Sequence, residues 1–289
     1  MAVLTIAGFD SCSGAGITRD LRTFTDFGLV GLGVTTLLTA QNSRQVCGVQ
    51  PVSAAFVGQQ IAALCTDFTI QASKISIVYR NAVIQVLLAA IDRQALGMLV
   101  MDPVLAASSG WSFFIEQDFH LLLDLLRRAD LITPNLPEAA RLLGSDLEDV
   151  QADPGQAIAR LHRLGMKHIL LKGGHQRRSR SSHTHSNANA NANANTNAMA
   201  QDKTAWHITE QHVTDFFSDG KTIHALTHPY VATVHTSGFH GTVCVLSAAI
   251  TACLAQGMEL LPAIHQARGY LLGLMQQAGS ADTGTCRLL

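Results

Sequence analysis

An α/β fold, with a mostly parallel sheet covered by helices on both faces, is what this sequence predicts. Short apolar runs alternate with longer amphipathic ones along most of the chain, the pattern of strands joined by crossover helices. Several short runs close on Gly, Asp, Asn or Lys, and ligands of open α/β sheets collect at such carboxyl ends of strands. A 47% share of hydrophobic residues over 289 positions is ample for a sizeable core.

The elements follow in order. A first strand falls at 3–7, where the apolar run lacks a basic leader and stops well short of a membrane span or signal core. A helix at 17–27, a strand at 33–40, a helix at 54–67, a strand at 72–77 and a helix at 82–94 continue the alternation. A strand at 98–102 leads to a helix at 115–129, whose Leu121, Leu122, Leu125 and Leu126 form one apolar stripe suited to packing on a sheet. A strand at 131–133, helices at 137–143 and 154–164, and a strand at 168–172 follow.

The order then breaks at 176–205, a basic Ser/His stretch running into a near-alternating Asn-Ala tract. Met199 is the one large apolar side chain there before Trp206, so little burial offsets the entropy of ordering it. A disordered insertion within a single domain spanning 1–289 is expected. His183 and His185 lack the cysteine or carboxylate neighbours of a metal site. Asp219-Gly220 marks a hairpin turn between 213–217 and 221–225, and helices at 243–256 and 261–277 end the chain.

A net charge of −1, with charged residues at only 14% of positions, gives no broad basic surface for nucleic acid. Small molecules are the expected partners. Six cysteines are scattered without the close pairs of zinc sites or disulfide frameworks, which fits reduced thiols in the cytoplasm.

Five segments carry chemistry. Asp10 to Ile17 contains Gly14 and Gly16, which allow a backbone to approach a ligand and equally suit a tight strand-to-helix turn. Gln41 follows a strand and offers the donor and acceptors that match the edge of a heteroaromatic ring; an ordinary turn has the same look. Asp102 ends a strand, and Asn135 with Glu138 opens a helix; these supply oxygen ligands for a hydrated Mg²⁺, or, for the latter pair, a capping box. Lys172 stands at a strand end before Gly173-Gly174, either as a point charge near a polyphosphate or facing solvent. Last comes Gly241-Thr242-Val243-Cys244, where a small-residue turn enters an apolar helix. Unpaired N–H groups there favour phosphate and lower the pKa of a cysteine.

In this order the blocks resemble the hydroxymethylpyrimidine/phosphomethylpyrimidine kinases of thiamine biosynthesis, within the ribokinase-like superfamily. The resemblance rests on Gly14-Ala15-Gly16-Ile17 with Asp20-Leu21, Leu38-Thr39-Ala40-Gln41-Asn42, Asp102-Pro103-Val104, Thr133-Pro134-Asn135-Leu136-Pro137-Glu138-Ala139, Leu171-Lys172-Gly173-Gly174-His175, and His240-Gly241-Thr242 with Cys244. It implies a three-layer α/β/α fold, a homodimer, ATP as co-substrate with Mg²⁺, and phosphorylation of the pyrimidine alcohol and then of its monophosphate. It implies that Gln41, Asp10, Gly14 and Gly16 bind the pyrimidine and that Glu138 and Asn135 hold the metal. Lys172, Asn135, Gly241 and Thr242 would bind nucleotide and phosphate, with Cys244 as the catalytic base. A pyridoxal-type vitamin kinase and an impaired, ligand-sensing kinase fold are the alternatives.

The departures from the family pattern cluster near the site. Val243 and Val245 replace the second glycine and the threonine of Gly-Thr-Gly-Cys-Thr, Phe9 replaces a serine, and Ser13 a glycine. Lys-Ile-Gly-Met reads Lys74-Ile75-Ser76-Ile77, which alters the pyrimidine pocket. A positive φ at position 243 would strain a β-branched residue and distort the phosphate site.

Overall fold

The computed structural model describes residues 1–42, 45–78, 80–105, 119–173, 212–231, 239–280 and 287–288. The expected insertion at 176–205, and the Gly174-His175 end of its motif, lie outside them.

In chain order the elements are β1 (Ala2–Asp10), α1 (Gly16–Asp26), β2 (Val30–Gln41), β3 (Val46–Pro51), α2 (Ala54–Asp67), β4 (Ile70–Ile75) and α3 (Asn81–Asp92). Then come β5 (Met98–Met101), α4 (Phe119–Arg128), β6 (Leu131–Ile132), α5 (Leu136–Leu143), α6 (Leu147–Ala152), α7 (Pro154–Arg163) and β7 (Ile169–Leu171). The chain continues through β8 (His212–Ser218), β9 (Ile223–Pro229), β10 (Phe239–His240), α8 (Thr242–Ala255), α9 (Leu260–Ser280) and β11 (Arg287–Leu288). The sequence reading located nearly all of these within a few residues. It passed over β3, too short and too broken by Gly48 to show a period, the six-residue α6, and the two-residue strands β10 and β11.

Among the described residues nine strands form one sheet in the order β3-β2-β1-β4-β5-β6-β7-β8-β9. The six strands β2, β1, β4, β5, β6 and β7 run parallel, while β3 pairs antiparallel at one edge and the β8–β9 hairpin at the other. One apolar core lies between the sheet and α2 to α7, built from residues such as Leu4, Ile6, Ile75, Leu87 and Leu125. The other holds Val3, Phe24, Leu246 and Ile264 beneath α1, α8 and α9. The fold is therefore three layers, α/β/α, and α8 is buried almost all round from Val245 to Ala255. No helix among the described residues is long and apolar enough to cross a membrane.

The alternation of β1 places Leu4 and Ile6 in the first core and turns Val3 and Thr5 towards α1. Lys74 of β4 points to the same side, between α1 and α8, where its side chain is sealed from solvent. The carboxyl ends of β1, β4 and β5 thus lie beside the start of α8, and those of β2 and β7 connect to it through Ser11 and Asp102.

Candidate active site

The site is assembled at the entry to α8. Gly241 is the N-cap at φ +90° and has no side chain to cap the helix, so among the described residues the first-turn N–H groups are left for an anion. Only glycine fits there, because a Cβ would stand 1.9 Å from the Gly14 carbonyl oxygen of the β1–α1 loop. That contact sets the glycine loop directly against the helix start. Gly16, at φ +62°, is equally confined, with a Cβ position 2.2 Å from the Gly8 oxygen.

Val243 settles into the helix. Among the described residues only Ser13 and Gln94 are non-glycine positions at positive φ, so Val243 keeps a negative φ and its N–H stays in the first turn. The backbone strain expected at 243 falls instead on Ser13, at φ 61°, where the family pattern has glycine.

Asp10 organises the loop. Its carboxylate accepts from the N–H of Cys12 at 2.8 Å, Gly14 at 3.1 Å and Ala15 at 2.9 Å. Gln41 is anchored by its backbone, whose N–H donates to Ser11 Oγ at 3.0 Å while the Ser11 hydroxyl donates back to the Gln41 carbonyl at 2.8 Å. Its amide lies beside the Cys12 thiol at the loop mouth. Ile77 reaches towards Gly8, and Ser76 is buried with its hydroxyl unpaired among the described residues.

Asp102 is a hub at the end of β5. Its Oδ1 accepts from Lys172 Nζ at 2.9 Å and Thr133 Oγ1 at 3.0 Å, and its Oδ2 accepts from Ser247 Oγ of α8 at 3.2 Å. Asn135 and Glu138 form the capping box: Asn135 Oδ1 accepts the Glu138 N–H and Glu138 Oε2 accepts the Asn135 N–H, each at 2.8 Å. The capping and ligand readings of this pair are compatible, since the box leaves Glu138 Oε1 and the second lone pair of Asn135 Oδ1 outside it. Burial pushes the Glu138 carboxyl up to about 7 against the pull of Lys172, and Asp102 adds to the rise.

Cys244 requires a correction. The helix start was expected to lower its pKa, but burial pushes the thiol above the ordinary value. Lys74 opposes that rise, Asp20 and Asp102 reinforce it, and a Gly16 backbone hydrogen bond acts against it. The residue as a whole keeps some exposure, while its thiol lies among close-packed groups.

Two features escaped the sequence reading of the site. One is the buried Lys74–Asp20 pair at 2.5 Å, with Thr5 Oγ1 donating to Asp20 at 2.6 Å. Burial presses Asp20 towards neutrality, while Asp20, Cys244 and Asp102 together hold Lys74 above its ordinary value despite burial. With both short donors on the carboxylate, we take the pair as ionised. A lysine inside an otherwise buried strand was its signal. The other is Asp215 of β8, which accepts the Gly173 N–H at 2.8 Å and pairs with Arg268 Nε at 3.3 Å. It fixes the backbone next to Lys172. The broad surface hollow at the far end of α5, lined by Phe119, Arg141, Arg160 and Arg163, is separate from this edge.

This arrangement of layers, with an uncapped helix start facing a glycine loop across the strand ends, is that of the ribokinase-like small-molecule kinases. Superposition on solved structures agrees: the phosphomethylpyrimidine kinase of Clostridium difficile 630 matches with TM-score 0.69 at 27% identity, covering 95% of this chain and 99% of that one. Pyridoxal kinase of Bacillus subtilis in an ADP complex matches with TM-score 0.71 at 27% identity, over 93% and 89% of the two chains. The chain belongs to the phosphomethylpyrimidine kinase family, whose sequence profile matches residues 10–287. It is a phosphotransferase. Curated relatives include the hydroxymethylpyrimidine/phosphomethylpyrimidine kinases of Bacillus subtilis, 34% identical over 91% of this chain and 83% of that protein, and of Rhizobium meliloti, 34% identical over 98% and 94%.

Proposed function

We propose that this kinase transfers the γ-phosphoryl group of ATP to the hydroxymethyl oxygen of 4-amino-5-hydroxymethyl-2-methylpyrimidine, and then phosphorylates the resulting monophosphate, in thiamine diphosphate biosynthesis. The observation that carries this reading is the entry to α8, where uncapped N–H groups begin at Gly241 and Cys244 stands in the first turn beside the Gly14–Gly16 loop.

Gln41 holds the ring edge, and the loop shaped by Asp10, with Gly14 and Gly16, closes on the pyrimidine. The substrate oxygen forms its bond to the γ-phosphorus, the bond to the ADP oxygen breaks, and the hydroxyl proton passes to the Cys244 sulfur. Because the thiol is held up, proton acceptance develops with the transfer rather than before it. The N–H groups of Gly241 and Thr242 receive the phosphoryl oxygens, and Lys172 offsets their charge.

The donor set also suits Mg²⁺. Asp102 and Glu138 are hard oxygen donors sharing one ammonium, Lys172, so a further cation is electrostatically welcome. Glu138 and Asn135 would hold it, and when bound it supplies charge neutralisation for the phosphates. We read the chain as one kinase domain, cytoplasmic and homodimeric, with small-molecule rather than nucleic-acid partners, in keeping with its net charge of −1.

The test incubates purified protein with MgATP and the pyrimidine alcohol and resolves products by chromatography. The expected course is monophosphate, then diphosphate. Cys244→Ala should depress turnover at least about a hundredfold; full activity would sink the role given to the thiol. Pyridoxal belongs in the same assay, because the superposition includes a pyridoxal kinase. Faster turnover of pyridoxal than of the pyrimidine would reverse the substrate assignment.

A further inference from the structure

We propose that Lys74, with Asp20 as its counter-ion, is a positioning residue that governs proton release from Cys244. This rests on the reading of Cys244 as the base.

The geometry is specific. Lys74 Nζ donates to the Cys244 carbonyl oxygen at 3.2 Å as well as to Asp20 at 2.5 Å, and the Lys74 side chain has no solvent exposure. Enclosed between β4, α1 and α8, it is shut off from solvent and acts through the turn it grips. That turn is the one bearing the thiol. An ammonium with no water around it exerts a field that is little screened, so its charge acts strongly on a neighbouring sulfur.

The charged groups facing the thiol are Lys74 from β4, Asp20 from α1 and Asp102 at the end of β5. Two of these are carboxylates, which oppose a thiolate, and Lys74 is the cation among them. A Gly16 backbone hydrogen bond also favours the thiolate. Ser247 Oγ shares the Cys244 carbonyl at 3.3 Å, so a second bond retains the turn if Lys74 is removed. Position and charge are thereby separable by experiment.

The readout is the pH dependence of Cys244 alkylation by iodoacetamide in the full chain, followed at the Cys244 peptide by mass spectrometry. Exposed Cys47 serves as the internal standard. In Lys74→Met the Cys244 midpoint should move up by about one pH unit or more. Should the unpaired Asp20 prevent Lys74→Met from folding, the double variant Asp20→Asn/Lys74→Met removes both charges. It should also shift upwards, by less, because an opposing carboxylate leaves with the lysine. A folded double variant titrating at the wild-type midpoint overturns the proposal, whatever its thermal stability. Turnover is not part of this readout. An upward shift combined with full activity of Cys244→Ala would retain Lys74's influence and reject the thiol as base.

Discussion

Asp20–Lys74 and Asp102–Lys172 both reach the first turns of α8, one through the Cys244 carbonyl and the other through the Ser247 hydroxyl. The first pair is balanced and closed, with both side chains at 0% exposure. The second opens towards the cleft, with Lys172 at 7%, and shares its ammonium between Asp102 and the nearby Glu138. A balanced buried pair has its charge answered by the fold. In the unbalanced one Glu138 lies buried with a shared ammonium to answer it, and burial, reinforced by Asp102, raises its carboxyl.

The largest effect that can break this comparison is on stability. Asp20→Ala leaves the Lys74 ammonium sealed without its partner and should cost about 3–5 kcal/mol in urea denaturation. Asp102→Asn should cost less, because Glu138 remains to attract Lys172, yet it should harm turnover more. Equal stability losses would remove the distinction between a supporting pair and a working one.

Glu138 gives the next effect. Its carboxyl lies at about 7 against an ordinary 4.5, so the folded chain holds its proton more tightly than the unfolded chain does. The stabilisation from that protonated group is full below about 4.5 and is lost as pH rises through about 7. Denaturation curves across this window should show the decline, and Glu138→Gln should flatten it by on the order of 3 kcal/mol. Added Mg²⁺ should flatten it in the wild type as well. A decline unaffected by Mg²⁺ would argue against Glu138 as a metal ligand.

The two regions also differed in what the sequence disclosed. Asn135 and Glu138 are three residues apart and announce a helix start at any distance from the rest of the fold. Lys172 ends an apolar run and so reads as a strand-end charge. Lys74 and Asp20 are 54 positions apart, and nothing local pairs them. Their meeting depends on β4 lying beside β1 and on α1 crossing that face, which are properties of the sheet order. Strand and helix periods were legible for the same reason that the buried pair was not: periodicity is local, whereas charge compensation is settled by packing. The rise at Cys244 belongs to that second kind, since a helix start signals a lowered thiol and only the packed neighbours reveal the burial that outweighs it.

Val243 tests how well the helix start has adapted. Because it lies in α8 at negative φ, Val243→Gly should not raise turnover, and should lower stability by about 1 kcal/mol through helix propensity and lost side-chain packing. A faster enzyme would show that the valine side chain, rather than its backbone, obstructs the phosphoryl site.

Ser13 carries the smallest effect and the sharpest sign. Its φ of 61° is one that an L side chain adopts at a cost, and its side chain is exposed, so nothing is gained from burial in return. Its N–H donates to the Asp10 carbonyl at 3.0 Å, a bond that a glycine would keep. Ser13→Gly should therefore relieve strain and offset its own unfolded-state entropy, stabilising the chain by about 0.5 kcal/mol. Thermal unfolding measures this directly, with the pyrimidine KM as companion. A higher midpoint with unchanged KM means that the Asp10 carboxylate, through Cys12, Gly14 and Ala15, fixes the loop by itself. A lower midpoint means that the serine helps to hold the turn, and that the loop facing Gly241 relies on the strain it carries.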